Sequence, residues 1–389
     1  MMLRYGRDPG EVAMPRAAKE LVNLKRLEEA MDRQGLDAIV ARAGLNFTYL
    51  AGFAYPGTLA RHVDLADSPR AVIVVWPRRG EPRMVLNTIA RDLAQRDSWI
   101  RKFDVYEGYV EAPMHRLATT LVELGLADGK IGLELNYVTA ADIAQLAAKL
   151  PKMRVVDSAP ILDHVRAVKT KAEIGRLKVG ADILDDAFLA CFPMAKSRMR
   201  ERDLHGALVA HCLQGGAEFV HGILNSERNT IAYGGESDFA FRKGDAIRTD
   251  YVCYVKAYPG HQSRCAVVGK ASKKQKQEYA RARDVYLDSC HQLEAGRSAG
   301  EVYDFVVKRF AKEGLDYHHM IAGHSVGAWW HQQEPAISRG NTRVLEDGMV
   351  IAMEPHIGHW HIQDMWVVRP NGPELISARM STERLFECG

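Results

Sequence analysis

The spacing of apolar residues changes character along the chain. In "AAKELVNLKRLEEAMDRQGLDAIVAR" they fall at helical spacing, stop at Gly35, and resume as a short β-branched run. That pattern predicts an amphipathic helix followed by a strand. "RAVIVVW" and "RMVLN" read as two more strands, separated by "PRRGEP", whose Pro/Gly content predicts a turn. "MHRLATTLVELGLADGKIGLELN" and "AADIAQLAAKLPKMRVVD" each repeat helix then strand. The spacing therefore predicts an α/β layered domain over residues 1–162.

From residue 163 the pattern shifts. Thr170 is placed to cap a long helix that runs through "AEIGRLKVGADILDDAFLACF", and "ERDLHGALVAHCLQGG" predicts another. "DAIRTDYVCYVKAYPGHQSRCAVVG" reads as strands, with Pro259–Gly260 as the expected bend of a hairpin. Helices are expected over Lys273–Leu293 and Gly300–Lys312. "GMVIAMEPHIGHWHIQDMWVV" predicts two buried strands joined by a histidine-rich turn, with His359 and His361 on one solvent-facing side. Residues 163–389 are thus expected to be an α+β domain built from hairpins.

Composition narrows the class. Hydrophobic residues make up 47% and charged residues 26% of 389, as in globular enzymes. A net charge of +3 with scattered Lys and Arg argues against nucleic acid; the short basic run Lys270–Lys276 carries no aromatics and reads as a solvated helix face. No run of 18 apolar residues exists, which excludes a membrane-spanning helix, and the first 20 residues have no apolar core of signal-peptide length. The expected location is cytoplasmic. Six dispersed cysteines with no CxxC pair are expected to be reduced thiols.

Candidate chemistry lies where polar residues interrupt apolar runs: Asp250 and His261 in the predicted hairpin, His324 in "IAGHSVG", Glu354 in "AMEP" and Gln363 in "HIQD". Burying such groups singly costs several kcal/mol, roughly 2–7 for a polar group left without a partner, so a shared site is the economical explanation.

These segments resemble the pita-bread family of creatinase, prolidase, aminopeptidase P and methionine aminopeptidase. "RKGDAIRTDYVCYVKAYPGHQSR" is similar to its stretch with two aspartates eleven residues apart, "AGHSVGAWWH" to its Gly-His-Gly segment with a second histidine seven residues on, "EDGMVIAMEPHIG" to its G-M-V-x-T-x-E-P strand, and "HIQDMWVV" to its closing R-x-E-D strand. The resemblance implies an N-terminal α/β domain and a C-terminal pita-bread catalytic domain. Its metallopeptidases hold two divalent ions through Asp, Asp, His, Glu and Glu; here those positions read Asp250, His261, His324, Glu354 and Gln363. Two bridging carboxylates are replaced by neutral groups, which implies a lost dinuclear site. The resemblance further implies a metal-independent, creatinase-like hydrolase of a C–N bond in a small polar nitrogen compound, with His324 as general acid/base and His261 and Glu354 assisting. Asp250, His331, His221, Tyr233, Gln363, Arg61 and Trp330 are expected to contact substrate, and Arg264 to pair with a carboxylate. Arg61 lies in "AGFAYPGTLARHVD", which resembles a loop that reaches a partner's site in creatinase-like homodimers. Two other readings stand beside this one: one divalent metal on His261, His324 and Glu354, serving a peptidase-like or lyase-like reaction, and a non-catalytic binding module.

Overall fold

The computed structural model describes residues 18–42, 44–55, 70–231 and 237–389. The chain divides into two compact units, one ending at Ala172 and the other running over Glu173–Gly389.

The N-terminal unit is built on a six-stranded mixed sheet. Its strands are β1 (Ala38–Arg42), β2 (Ile73–Pro77), β3 (Arg83–Asn87), β4 (Lys102–Tyr106), β5 (Lys130–Leu133) and β6 (Arg154–Asp157), in the order β4-β3-β2-β1-β5-β6. β1 pairs parallel with β5 and antiparallel with β2. The Pro113–Glu123 and Ala140–Lys149 helices bury Leu117, Leu121 and Leu146 in a core with Val40, Ile73 and Ile131. This is the expected α/β layering.

The C-terminal unit holds two largely antiparallel sheets. The first contains β7 (Phe219–Ser226), β8 (Ala246–Val255), β9 (Tyr258–Gln262), β10 (Cys265–Val268) and β16 (Phe386–Cys388), in the order β16-β10-β8-β7 with β9 also on β8. The second contains β11 (Ile321–Ser325), β12 (Gln333–Ser338), β13 (Val350–Met353), β14 (Asp364–Val367) and β15 (Glu374–Leu375), in the order β12-β11-β13-β14-β15. An isolated bridge between Ser263 and Gln363 links them, with backbone N–H···O distances of 3.1 and 3.2 Å in the two directions. Phe188 and Phe192, from the Lys171–Cys191 helix and the turn after it, pack with Tyr251 and Leu224 beneath β7 and β8. Burying each such side chain contributes about 1.5–3 kcal/mol. The Lys273–Cys290 and Ala299–Lys312 helices begin at capping boxes, Ser272 with Gln275 and Ser298 with Glu301. Thr170 precedes the Lys171–Cys191 helix, and its hydroxyl donates to Glu20 O at 2.7 Å. All six cysteines are free and buried.

One turn differs from expectation. The β8–β9 hairpin bends at Lys256–Ala257, both with positive φ (49° and 69°), while Pro259 and Gly260 lie inside β9. Val255 pairs with Tyr258 across this two-residue loop, the turn length that matches strand twist. Gly260 serves packing instead. The Lys171–Cys191 helix crosses β9 at Gly180, where a Cβ would meet the Gly260 Cα at 2.9 Å. Two facing glycines let the helix backbone touch the strand that carries His261. Gly260→Ala should therefore destabilise by about 1–3 kcal/mol through overpacking, measured as a lower urea midpoint. Unchanged stability would show that this approach is loose.

Candidate active site

Strands of the two sheets bring most of the singled-out residues to one cavity. Asp250 is on β8, His261 on β9, His324 on β11, Glu354 just past β13, and Gln363 just before β14. With His331 from the β11–β12 loop and His221 from β7, all but Gln363 line one cavity of about 490 Å3. Trp330 lines its mouth and is 49% exposed. Tyr233, Arg61 and the N-terminal loop around it lie outside the described residues.

The polar groups form two pairs. In the first, His261 Nε2 lies 3.1 Å from Asp250 Oδ1. A carboxylate acceptor places the proton on Nε2, leaving a lone pair on Nδ1. Burial pushes the Asp250 carboxyl up, but the hydrogen bond and charge of His261 pull harder, and the net is well below the usual range. Gln363 Nε2 sits 3.2 and 3.3 Å from the two ring nitrogens of His261. Near-equal distances to both place the amide against the ring rather than on one lone pair. The Gln363 oxygen accepts from Ser263 Oγ at 2.8 Å.

In the second pair, His324 Nε2 lies 3.9 Å from Glu354 Oε1. His324 Nδ1 donates to Ser325 O at 3.0 Å, which fixes the tautomer and leaves Nε2 as the lone-pair atom beside the carboxylate. Burial, then the neighbouring His261, lowers the His324 pKa to about 3. Burial and the Asp250 charge raise Glu354 to about 8, and among the described residues no donor reaches its carboxylate. His331 closes the group, its ring centroid 4.8 Å from His261 and its Nδ1 3.1 Å from the buried Tyr254 hydroxyl.

These distances bear on metal binding. Two metal–ligand bonds of about 2.1 Å span up to about 4.2 Å, so one ion can touch both His324 and Glu354. An orphaned carboxylate beside a tautomer-fixed imidazole is the donor chemistry of such a site. His261 is committed to Asp250, and among the described residues no three His, Cys, Asp or Glu side chains form a ready-made cage. The residues fit a single ion on two protein donors. Neutral Gln363 and His261 leave no bridging charge for a second.

Sequence reasoning missed several participants. Arg248, two residues before Asp250 on β8 and hence on the same strand face, projects its charge onto Asp250, Glu354 and His356. The test that found Asp250, a polar residue inside an apolar strand, would have found it too. The histidine turn was also misjudged. His361 is buried at 1% exposure, its backbone N–H bonding Cys265 Sγ (3.1 Å) and its ring packed at a tilt against His356, centroids 4.5 Å apart. Arg264 meets expectation, pairing with Asp364 at 2.6 Å and Asp185 at 2.9 Å.

Comparison with known proteins gives the same architecture. Residues 175–370 match the model of Metallopeptidase family M24, and residues 23–168 that of the Creatinase/Prolidase N-terminal domain. A Xaa-Pro dipeptidase of Pyrococcus horikoshii is 24% identical over 93% of this chain and 97% of its own. Creatinase of a Bacillus species is 22% identical over 95% and 93%. Among solved structures, an X-Pro aminopeptidase of Thermotoga maritima superposes with a TM-score of 0.79 at 19% identity, covering 93% of this chain and 99% of that one, a likeness that shows the fold. The expectation of a metal-independent, creatinase-like enzyme is thereby corrected. The model over the catalytic half is that of a metallopeptidase family, and relatives named as Xaa-Pro peptidases stand beside creatinase at no lower identity. The physical reason is that losing two bridging carboxylates removes a second ion, not the donors of a first. No helix among the described residues is long and apolar enough to cross a membrane.

The buried histidines set a pH signature. Burial lowers His324 to about 3, His331 to about 2, and His356 and His359 to about 4, and lowers His361 well below its usual value. Their stabilisation is complete above the unfolded value near 6.5 and is lost as pH falls towards the folded values. Raised Glu354 acts oppositely: its contribution is complete below about 4.5 and lost as pH rises to about 8. Five imidazoles outweigh one carboxyl, so stability should drop as pH falls from 6.5 to 5. Each differential proton contributes about 1.4 kcal/mol per pH unit. Urea titrations across this range should show the slope, reduced by about one proton in His361→Phe. A flat or rising profile on acidification would contradict the buried neutral cluster.

Proposed function

Because this chain belongs to the M24 metallopeptidase family, we propose that it is a hydrolase of the C–N bond in Xaa-Pro dipeptides or close amide analogues, acting with one divalent metal ion. The observation that carries this reading is the second pair: a half-buried carboxylate, which no donor reaches among the described residues, 3.9 Å from a fixed imidazole lone pair. His324 and Glu354 hold the ion. Bound there, it supplies Lewis-acid polarisation and lowers the pKa of water.

The remaining residues do the proton work. His324, kept neutral by burial, is a poor proton acceptor at pH 7 and a good ligand. His261 has what a general base needs, a Nδ1 lone pair on a ring oriented by a half-buried, ionised aspartate. It takes a proton from the attacking water and returns it to the leaving nitrogen. His324, first expected as the general acid/base, is here a ligand, and His261, first expected to assist, is here the base. His331, held by Tyr254, and His221 line the wall where substrate lies, and Trp330 covers its mouth. Gln363 keeps His261 in place without adding a further carboxylate beside the ionised Asp250.

Two variants separate the roles. His261→Ala should lower turnover of a Xaa-Pro dipeptide by about 10²–10⁴-fold while the protein retains its ion. His324→Ala should lose both. Elemental analysis of each purified protein, run beside the assay, distinguishes them. Wild-type turnover that survives exhaustive chelation, with no stoichiometric metal, would refute the one-ion reading.

In the converse experiment, His261→Asp with Gln363→Glu restores the two bridging carboxylates. The double variant should take up a second equivalent of Mn2+, where either single change does not. Uptake of two equivalents by the unaltered protein would show that neutral bridging groups suffice.

A further inference from the structure

The carboxylate of Glu354 leaves the end of β13, where sheet hydrogen bonding stops, and the next residue is Pro355, which has no N–H to give. Something else must fix the backbone there if the carboxylate is to stay 3.9 Å from His324. The N–H of Glu354 is held by Ala322 O of β11, at 3.0 Å. Its carbonyl is held by a side chain: His356 Nδ1 lies 3.0 Å from Glu354 O. A carbonyl only accepts, so Nδ1 carries the proton. The ring that makes this bond packs against two others, with His361 at 4.5 Å between centroids and tilted 38°, and His319 at 4.3 Å and tilted 45°. His361 is in turn anchored to Cys265 of β10 through its own backbone. A path of contacts thus runs from the first sheet, through the His361 and His356 rings, to the peptide group that carries Glu354.

We propose that His356 is the positioning residue of Glu354, its Nδ1–H closing the Glu354–Pro355–His356 turn so that the carboxylate faces His324. Insofar as it concerns ion binding, this rests on the one-ion reading above; the positioning of the carboxylate does not. His319 and His361 pack against the His356 ring, tilted 45° and 38° to it, and limit its rotation away from the carbonyl.

Two substitutions take the ring and the donor apart. His356→Phe keeps a ring between His319 and His361 but removes the N–H. His356→Asn loses the ring but keeps a donor at the place of Nδ1. Crystal structures of both, and calorimetric titration of each metal-stripped protein with Mn2+, give two readouts independent of turnover. In His356→Phe the Glu354 carboxylate should leave its place beside His324, and the Mn2+ Kd should weaken by about 10–100-fold, as for other groups that orient a ligand. His356→Asn should restore the carboxylate and bring the Kd to within about threefold of wild type. If His356→Phe does not fold, His356→Leu serves in its stead. A Glu354 carboxylate that stays in place without the donor, or one that Asn fails to restore, overturns the proposal. Absence of Mn2+ binding in the wild-type protein would remove the one-ion reading, while the carboxylate position in the variants would still decide the role of His356.

Discussion

A guanidinium buried between two aspartates holds the catalytic half together. Arg264, 2% exposed, donates to Asp185 on the Lys171–Cys191 helix and to Asp364 at the start of β14, and its other nitrogen donates to the carbonyls of Ser263 and Gln363. Its backbone is locked to Thr249 of β8. Burial works against its charge, and the two carboxylates more than offset this. Tyr286 adds a hydroxyl to Asp364 at 2.9 Å. One side chain therefore sets the separation of the two sheets at the bridge between Ser263 and Gln363. Removing Arg264 would leave Asp185 and Asp364 buried without their guanidinium, a loss of about 3–5 kcal/mol. The positions of His261 and Gln363, one either side of that bridge, follow from it.

Charge is then divided across the pocket. Asp250 is ionised against His261, and among the described residues no donor reaches the Glu354 carboxylate. A carboxylate at position 363 would place another acid beside the already ionised Asp250. The amide instead spans Ser263, from which its oxygen accepts, and the His261 ring, against which its nitrogen lies. A glutamine fits beside a histidine here for the same reason that a glutamate fits beside an aspartate where two ions are present: the net charge of the site must match what it holds.

Much of this was legible in the sequence, and the failures are as physical as the successes. Asp250, His261, His324, Glu354 and Gln363 stood out because each interrupts an apolar run, and burial makes such interruptions informative. Arg248 satisfied the same test and was passed over. Pro259–Gly260 looked like a turn, because the pair usually is one; here Gly260 admits the helix at Gly180, a contact some 80 residues away that no local pattern reveals. His361 looked exposed because strand alternation ignores what lies across the sheet. Metal independence was inferred from the ligands lost, whereas the chemistry depends on those that remain. Tyr233 and Arg61 fall outside the described residues, so their expected roles stand as expectations.

The central claim is that this site holds one ion, on His324 and Glu354. Anomalous diffraction at the Mn absorption edge, from crystals of the wild-type protein grown with Mn2+, tests it most directly. The account predicts one peak within coordination distance, about 2.0–2.3 Å, of His324 Nε2 and a Glu354 oxygen, and none at Gln363. Two peaks bridged near His261 and Gln363, or no peak in the pocket, would contradict it.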